Sequence, residues 1–260
     1  MGGRGAMNSE RPFAPRTVSL LHVDSELGAA VPGPQLHEAA RQSTARVVAL
    51  KGPEWDPGPI ARLADGAWLG LFLTDGLLIR RVTVANQASS ELLGAGDVIR
   101  PWDEDGAYGT LPVTVEWILL EPVTVAVLDG NFALRVARWP SISAGMVQRV
   151  ASRARRLALM QAVTHMPRIH ARMLMTLWLL AERWGTVIRD GVQLKLPLTH
   201  RTLATLIGCQ RPSATIALRK LGDAGLLVRR SRDCFVLTRK GIDCLREPQC
   251  LTLMFESLPS

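Results

Sequence analysis

The sequence predicts an α+β chain in which short antiparallel strands come first and helices follow. Three observations predict it: apolar runs separated by turn residues from Ala67 to Asp129, a proline-free stretch of helical spacing from Ser141 to Gln161, and two short helical segments closed by a hairpin between Thr199 and Thr238. With 260 residues the chain has room for two domains and a linker. A composition of 47% hydrophobic and 21% charged residues is that of a globular protein, and no apolar run approaches the roughly 20 residues that span a bilayer. A membrane-spanning protein is excluded on that ground, and the expected location is the cytoplasm.

Residues 1–16 read as a disordered lead-in, rich in Gly, Pro and polar side chains, without the apolar segment of a secretory signal and with a second candidate start at Met7. A β domain is expected over residues 17–138. Within it WLGLFLT and LLIRRVTVA flank Asp75-Gly76, a dipeptide suited to a two-residue hairpin, and SSELL, TVEWILL and VTVAVLD follow. Turn clusters at Gly94-Ala95-Gly96-Asp97 and Glu121-Pro122 separate them, which favours an antiparallel barrel or sandwich over alternating β and α units.

Residues 139–164 are expected to hold a long helix and a hinge. Met146, Val150, Ala154, Leu157 and Met160 recur at intervals of 3 and 4, with Arg149, Arg153, Arg155 and Arg156 beside them. Such a stripe suits a seam between two copies of the chain better than packing on its own domain. Pro167 breaks the helix, placing the hinge at Thr164–Pro167. A second helix, from Arg168 to Trp184, then carries Leu174, Leu177, Trp178 and Ala181.

Residues 165–260 form the last expected domain. After the strand-like GVQLKLPL, Thr199 caps a short helix that ends at Gly208, and Pro212 suits the first turn of the next. Ala214, Ala217, Leu218 and Leu221 give that second helix one buried face, so the pair makes a helix-turn-helix. Gly225 closes it. LLVRR, the turn Ser231-Arg232-Asp233 and CFVLT then pair as a hairpin, the wing of a winged helix.

Charge is unevenly spread. Residues 1–140 hold 12 Lys/Arg against 16 Asp/Glu, a net of −4, while residues 141–260 hold 19 against 7, a net of +12. The basic half is suited to a polyanion, either nucleic acid or an anionic surface. Cys209, Cys234, Cys244 and Cys250 match no zinc spacing, and His22, His37, His165, His170 and His200 are scattered, so no metal, cofactor or catalytic residue is expected.

On the second helix of the pair, Thr215, Ile216 and Arg219 lie opposite the buried face, with Gln210, Arg211 and Ser213 at its start. These residues fit a major groove, because Arg can pair with guanine, Gln with adenine, and an aliphatic group can meet a thymine methyl. Ile216 is equally suited to a core position. Thr199, His200, Arg201 and Ser213 are placed to hold phosphates, and Arg229, Arg230 and Arg232 charge the wing.

LTHRTLATLIGCQRPSATIALRKLGDAGLL, together with Leu93-Gly94-Ala95-Gly96-Asp97-Val98-Ile99, resembles the Crp/Fnr family of bacterial transcription regulators. The resemblance implies an N-terminal antiparallel β-roll of cupin-like kind as sensor, a long dimerisation helix and a C-terminal winged helix on double-stranded DNA with a palindromic operator. RNA polymerase is a further candidate partner. Where members that bind cyclic nucleotides carry Gly-Glu and Arg-Ser or Arg-Thr, this chain reads Arg100-Pro101 and Val113-Thr114, so control by cAMP in the usual way is not expected. The N-terminal cysteines of iron–sulfur members are absent, and no haem ligand set is evident in the β domain. Arg211-Pro212 replaces a common Arg-Glu, so a different operator half-site is expected.

For the unknown effector, Arg80, Arg81, Arg100, Trp102 and Trp117 form the candidate set, suited to an anionic or aromatic ligand, with Trp102 and Trp117 equally suited to the core. Cyclic di-GMP on the arginines of the long helix is another option, and a factor free of ligand control a third. Two other function classes stay open: a module whose winged helix contacts a protein, and a cupin-like enzyme, for which the ligand residues are missing.

Overall fold

The computed structural model describes residues 16–104, 109 and 111–246. Cys250 and the lead-in before Arg16 lie outside the described residues. The β domain comprises β1 (Thr17–Ser19), α1 (Leu20–Val23), α2 (Leu36–Gln42), β2 (Thr44–Leu50), α3 (Gly58–Ala61), β3 (Gly70–Asp75), β4 (Leu77–Val84), β5 (Gln87–Gly94), β6 (Val98–Ile99), β7 (Val113–Leu119), β8 (Val123–Leu128) and α4 (Gly130–Val136). One sheet has the order β1-β2-β8-β3-β6 and the other β5-β4-β7, and every pairing is antiparallel.

Side-chain alternation explains why the first sheet is covered on both faces. Leu71, Leu73, Val125 and Val127 point towards the second sheet, while Phe72, Ala126 and Leu128 point the other way, onto Leu20, Leu27, Phe132 and Ile142. The second sheet repeats the pattern. Leu78 and Leu93 face inward, and Leu77, Ile79 and Leu92 face outward into a cluster shared with the C-terminal part of the chain.

The expected hairpin at Asp75-Gly76 is not one. β3 and β4 lie in different sheets, and Gly76 carries the chain round a corner at φ +86°, where a Cβ would stand 2.1 Å from the Pro122 carbonyl oxygen. The two-residue hairpin sits ten residues further on in another pair, at Ala85 and Asn86, with φ of 45° and 67° between the partners Val84 and Gln87. An alanine in a left-handed position is an uncommon turn signal, whereas Asp-Gly is a common one.

The long helix α5 (Pro140–Thr164) starts with proline at its first position and runs 25 residues, one beyond the start of its sequence pattern and three beyond its end. After the break at 165–168 come α6 (Ile169–Trp184), β9 (Gly185–Ile188), β10 (Gly191–Lys195), α7 (His200–Leu206), α8 (Arg211–Asp223), β11 (Leu227–Ser231), β12 (Cys234–Thr238) and α9 (Arg239–Arg246). Their four strands form one sheet in the order β11-β12-β10-β9. No helix among the described residues is long and apolar enough to cross a membrane.

The stripe on α5 divides. Met146 is buried with Ile142 in the core of the β domain, which corrects its place in a seam between copies. Val150, Ala154 and Leu157 are exposed, and Met160 is half-buried. The first turns of α5 therefore serve the chain's own core, because α4 and α5 together close the open face of the first sheet.

Candidate nucleic-acid interface

Two short helices across a tight turn position the candidate interface. Thr199 Oγ1 accepts the backbone N–H of Thr202 at 3.0 Å and so starts α7. Gly208, at φ +65°, then turns the chain into α8, whose Ala214, Ala217 and Leu221 are buried. These contacts fix the opposite face outward. Arg211, Thr215, Ile216 and Arg219 are exposed, with Gln210 just ahead of them, and Ile216 at 47% exposure is a surface residue rather than a core one. Ser213 is half-buried and borders, with Ile216, a cleft of about 260 Å³ against the start of α6.

A hydrogen-bond chain ties the wing to this face. Arg229 Nη1 lies 2.9 Å from His200 Nε2, and His200 Nδ1 lies 2.9 Å from Thr215 Oγ1, which donates to the Arg211 carbonyl at 3.1 Å. Arginine only donates, so His200 accepts at Nε2 and carries its proton on Nδ1, donating to Thr215. Burial first, and then the charges of Arg229 and Arg211, hold the His200 pKa below the ordinary histidine value. Arg229 also donates to the carbonyls of Ser231 and Arg232 and lies over the Phe235 ring at 5.6 Å. The interface thus has a pre-set geometry with exposed cations on it.

The wing arginines do not act as a set. Arg230 turns to Asp190 of the β9–β10 turn at 3.2 Å, away from the His200–Arg229 contact, whereas Arg229 faces α7 and α8. Arg230 is nevertheless exposed. Arg232 and Arg201 are exposed.

The five candidate effector residues do not converge. Arg80 pairs in register with Trp117 and Glu91, and Arg81 with Glu116 and Ser90, so the two arginines point to opposite faces of one sheet. Trp117 is buried edge-on to Trp55, and Arg81 pairs with Glu116 at 3.4 Å. Arg100 donates to Asp103 at 2.6 Å and to the Trp68 carbonyl, and it lies over Trp102, which packs on Trp68. Both tryptophans pack in the core of the β domain and the arginines are turned apart, so the five residues do not form one site.

The arginines of α5 are likewise spent inside the chain. Arg149 meets Asp24 and Glu26 at 2.5 and 2.7 Å, and Arg153 makes a two-pronged pair with Glu91 at 2.8 Å on each oxygen. Asp97, only 2% exposed, takes Arg156 of α5 on one oxygen and Arg183 of α6 at 2.8 Å on the other. Arg183 continues to the Ala95 carbonyl at 2.8 Å and lies over Trp184. These links join the β domain, the long helix and the helix-turn-helix part. Sequence reasoning missed them because the partners of Asp97 lie 59 and 86 residues away.

Residues 171–243 match the family model of the Crp-like helix-turn-helix domain. The chain carries a Crp-like helix-turn-helix domain. Over most of its length the chain is similar in fold to several solved structures. A CooA mutant from Carboxydothermus hydrogenoformans aligns with a TM-score of 0.56 at 17% identity, covering 92% of this chain and 96% of that one. A CRP-family transcriptional regulator from Thermus thermophilus aligns at 0.50 and 18% identity, covering 83% and 96%. FixK2 from Bradyrhizobium japonicum aligns at 0.54 and 14%, covering 81% and 96%. Among curated proteins none matches the sequence. The matched residues run from α6 to α9 and include Arg211 and the wing, so the exposed cations described above stand within them.

Proposed function

We propose that this protein is a homodimeric, sequence-specific DNA-binding transcription regulator of Crp/Fnr type that is not controlled by cAMP in the usual way. The observation that carries the reading is the outward face of α8, with Arg211, Thr215, Ile216 and Arg219 exposed and aligned with Arg229 of the wing through His200. A helix presented in this way fits a major groove, Arg211 and Gln210 reading base edges, while Thr199, Arg201, Ser213, Arg229 and Arg232 meet phosphates.

Two copies are expected to pair along α5, where Val150, Ala154, Leu157 and Met160 leave an apolar stripe beyond the part buried in the β domain. The operator is then palindromic, with half-sites about one helical turn apart. RNA polymerase and a cytoplasmic setting follow from the same reading, and no catalytic role is assigned to any residue. Against cyclic-nucleotide control stands Arg100, whose guanidinium is committed to Asp103 and Trp68.

Selection of bound fragments from a random DNA library by the purified full chain tests the proposal. A palindromic motif is expected without any added nucleotide. Leu157→Asp is expected to weaken binding to that motif by about 10² or more through lost two-site engagement. Absence of any enriched motif, with or without cAMP, overturns the DNA-binding reading in favour of a protein-contacting module. A motif that appears only with cAMP overturns the claim about control.

A further inference from the structure

We propose that Pro212, Thr215 and Ile216 of α8 form an apolar reading patch for thymine methyl groups, so that each operator half-site carries one or two T·A pairs beside the base pair read by Arg211. The inference rests on the DNA-binding reading and names the bases that this helix selects. All three residues are exposed, and at positions i, i+3 and i+4 they are neighbours on one side of the helix surface. Buried Ala214, Ala217 and Leu221 hold the other side against the core of the domain, so the patch is fixed outward.

What each residue offers a base follows from its bonding. Proline has neither a polar side chain nor a backbone N–H. Ile216 is a hydrocarbon, and its 47% exposure leaves apolar surface in water until a partner covers it. Thr215 is the residue whose role only the structure reveals. Its hydroxyl proton goes to the Arg211 carbonyl at 3.1 Å, and the same oxygen receives the Nδ1 proton of His200 at 2.9 Å. With Oγ1 engaged by the protein in this way, the group Thr215 has left for DNA is its methyl. Arg229 of the wing holds His200 on its far side at 2.9 Å and so keeps the threonine in this state.

In the major groove every base presents hydrogen-bonding groups, but thymine alone of the four adds an apolar one, its C5 methyl. A cytosine in the same place turns its N4 amino donor onto a surface whose one side-chain oxygen is already engaged, and a donor left unpaired there is unfavourable. The patch lies between Arg211 and Arg219. Their spacing along the helix is about 12 Å at 1.5 Å per residue, which matches three to four base steps of about 3.4 Å. Its middle therefore faces one or two base pairs.

The test uses the full-length protein and the DNA motif that it selects from the random library. Each thymine of that motif is replaced singly by deoxyuridine, which lacks the C5 methyl and keeps every hydrogen-bonding group, and affinity is read by fluorescence anisotropy. One or two replacements beside the base read by Arg211 are expected to weaken binding about fourfold each, and replacements elsewhere in the half-site by less than about twofold. Ile216→Ala and Thr215→Ser are each expected to bind the thymine motif more weakly and to lose the response to deoxyuridine at one position. Thr215→Val keeps a methyl, drops the hydroxyl, and is expected to retain the response. A motif indifferent to the loss of every thymine methyl, or a response unaltered in both Ile216→Ala and Thr215→Ser, overturns the inference and leaves the function reading standing. Loss of the response in Thr215→Val with its retention in Thr215→Ser makes the hydroxyl the reading group and overturns the assignment to Thr215. Absence of any selected motif overturns the inference and the function reading together.

Discussion

Two groups of arginines sit in the basic half of the chain, and the structure treats them in opposite ways. Arg149, Arg153, Arg156 and Arg183 point back into the β domain and meet Asp24, Glu26, Glu91 and Asp97 there. Arg201, Arg211, Arg219, Arg229 and Arg232 stand exposed on the helix-turn-helix and wing. The net of +12 counted over residues 141–260 therefore mixes charges that glue the domains with charges available to a polyanion. The acidic excess of the first half is in part the counterpart of the first group. A charge split along a sequence marks a binding surface only after these internal pairs are set aside.

Breaking the comparison from the glued side has the largest expected effect. Asp97→Asn leaves Arg156 and Arg183 facing a neutral amide at a buried position, and unfolding in urea is expected to show a loss of about 3 kcal/mol. A change under about 0.5 kcal/mol would place these arginines in the same class as surface cations. From the other side, Arg211→Ala is expected to leave the urea midpoint in place while discrimination at one base position of the operator falls by about 1–3 kcal/mol. Uniform affinity loss across all base variants would make Arg211 a phosphate contact.

His200 sharpens the comparison with pH. In the free protein its pKa lies below the ordinary value, through burial and then Arg229 and Arg211, and a DNA phosphate nearby raises it. The complex then holds more protons than the free protein, so affinity is expected to rise as pH falls through the ordinary histidine range near ~6.5, by at most about tenfold per unit. Anisotropy titrations at high and low pH check this, with His200→Gln expected to flatten the dependence. Folding stability runs the other way: the unfolded chain takes up the proton first, so stability declines as pH falls through the unfolded pKa.

The smallest expected difference lies within the wing. Arg229→Ala is expected to reduce the salt slope of DNA binding by about 1, and Arg230→Ala to leave it unchanged, because Arg230 faces Asp190. Equal slopes in the two variants would undo the division of the wing into a DNA-facing and a turned-away arginine.

The fold was legible where local chemistry suffices. Thr199 as a cap, Gly208 in a left-handed turn, Pro212 in a first turn and the Ala214–Leu221 face each act within a few residues, and the helix-turn-helix follows from them. The corner at Gly76 was not legible, because what requires glycine there is Pro122, a residue on another strand. Ile216 shows the same limit on a smaller scale: its spacing permits either face, and only the packing of α8 on its neighbours exposes it.

What the sequence by itself determined about this protein is the order of its parts, the α+β class and, Ile216 apart, the residues that α8 presents outward, since periodicity, caps and turns are short-range properties. Only the tertiary structure decided how those parts are joined. It separated Arg80 from Arg81, enclosed Trp117, turned Met146 into the β domain, and brought Asp97 between two arginines far away along the chain. Ion pairs and shared cores form between segments that folding brings together, and neither residue type nor spacing says which opposite charge will be near enough to neutralise a given arginine.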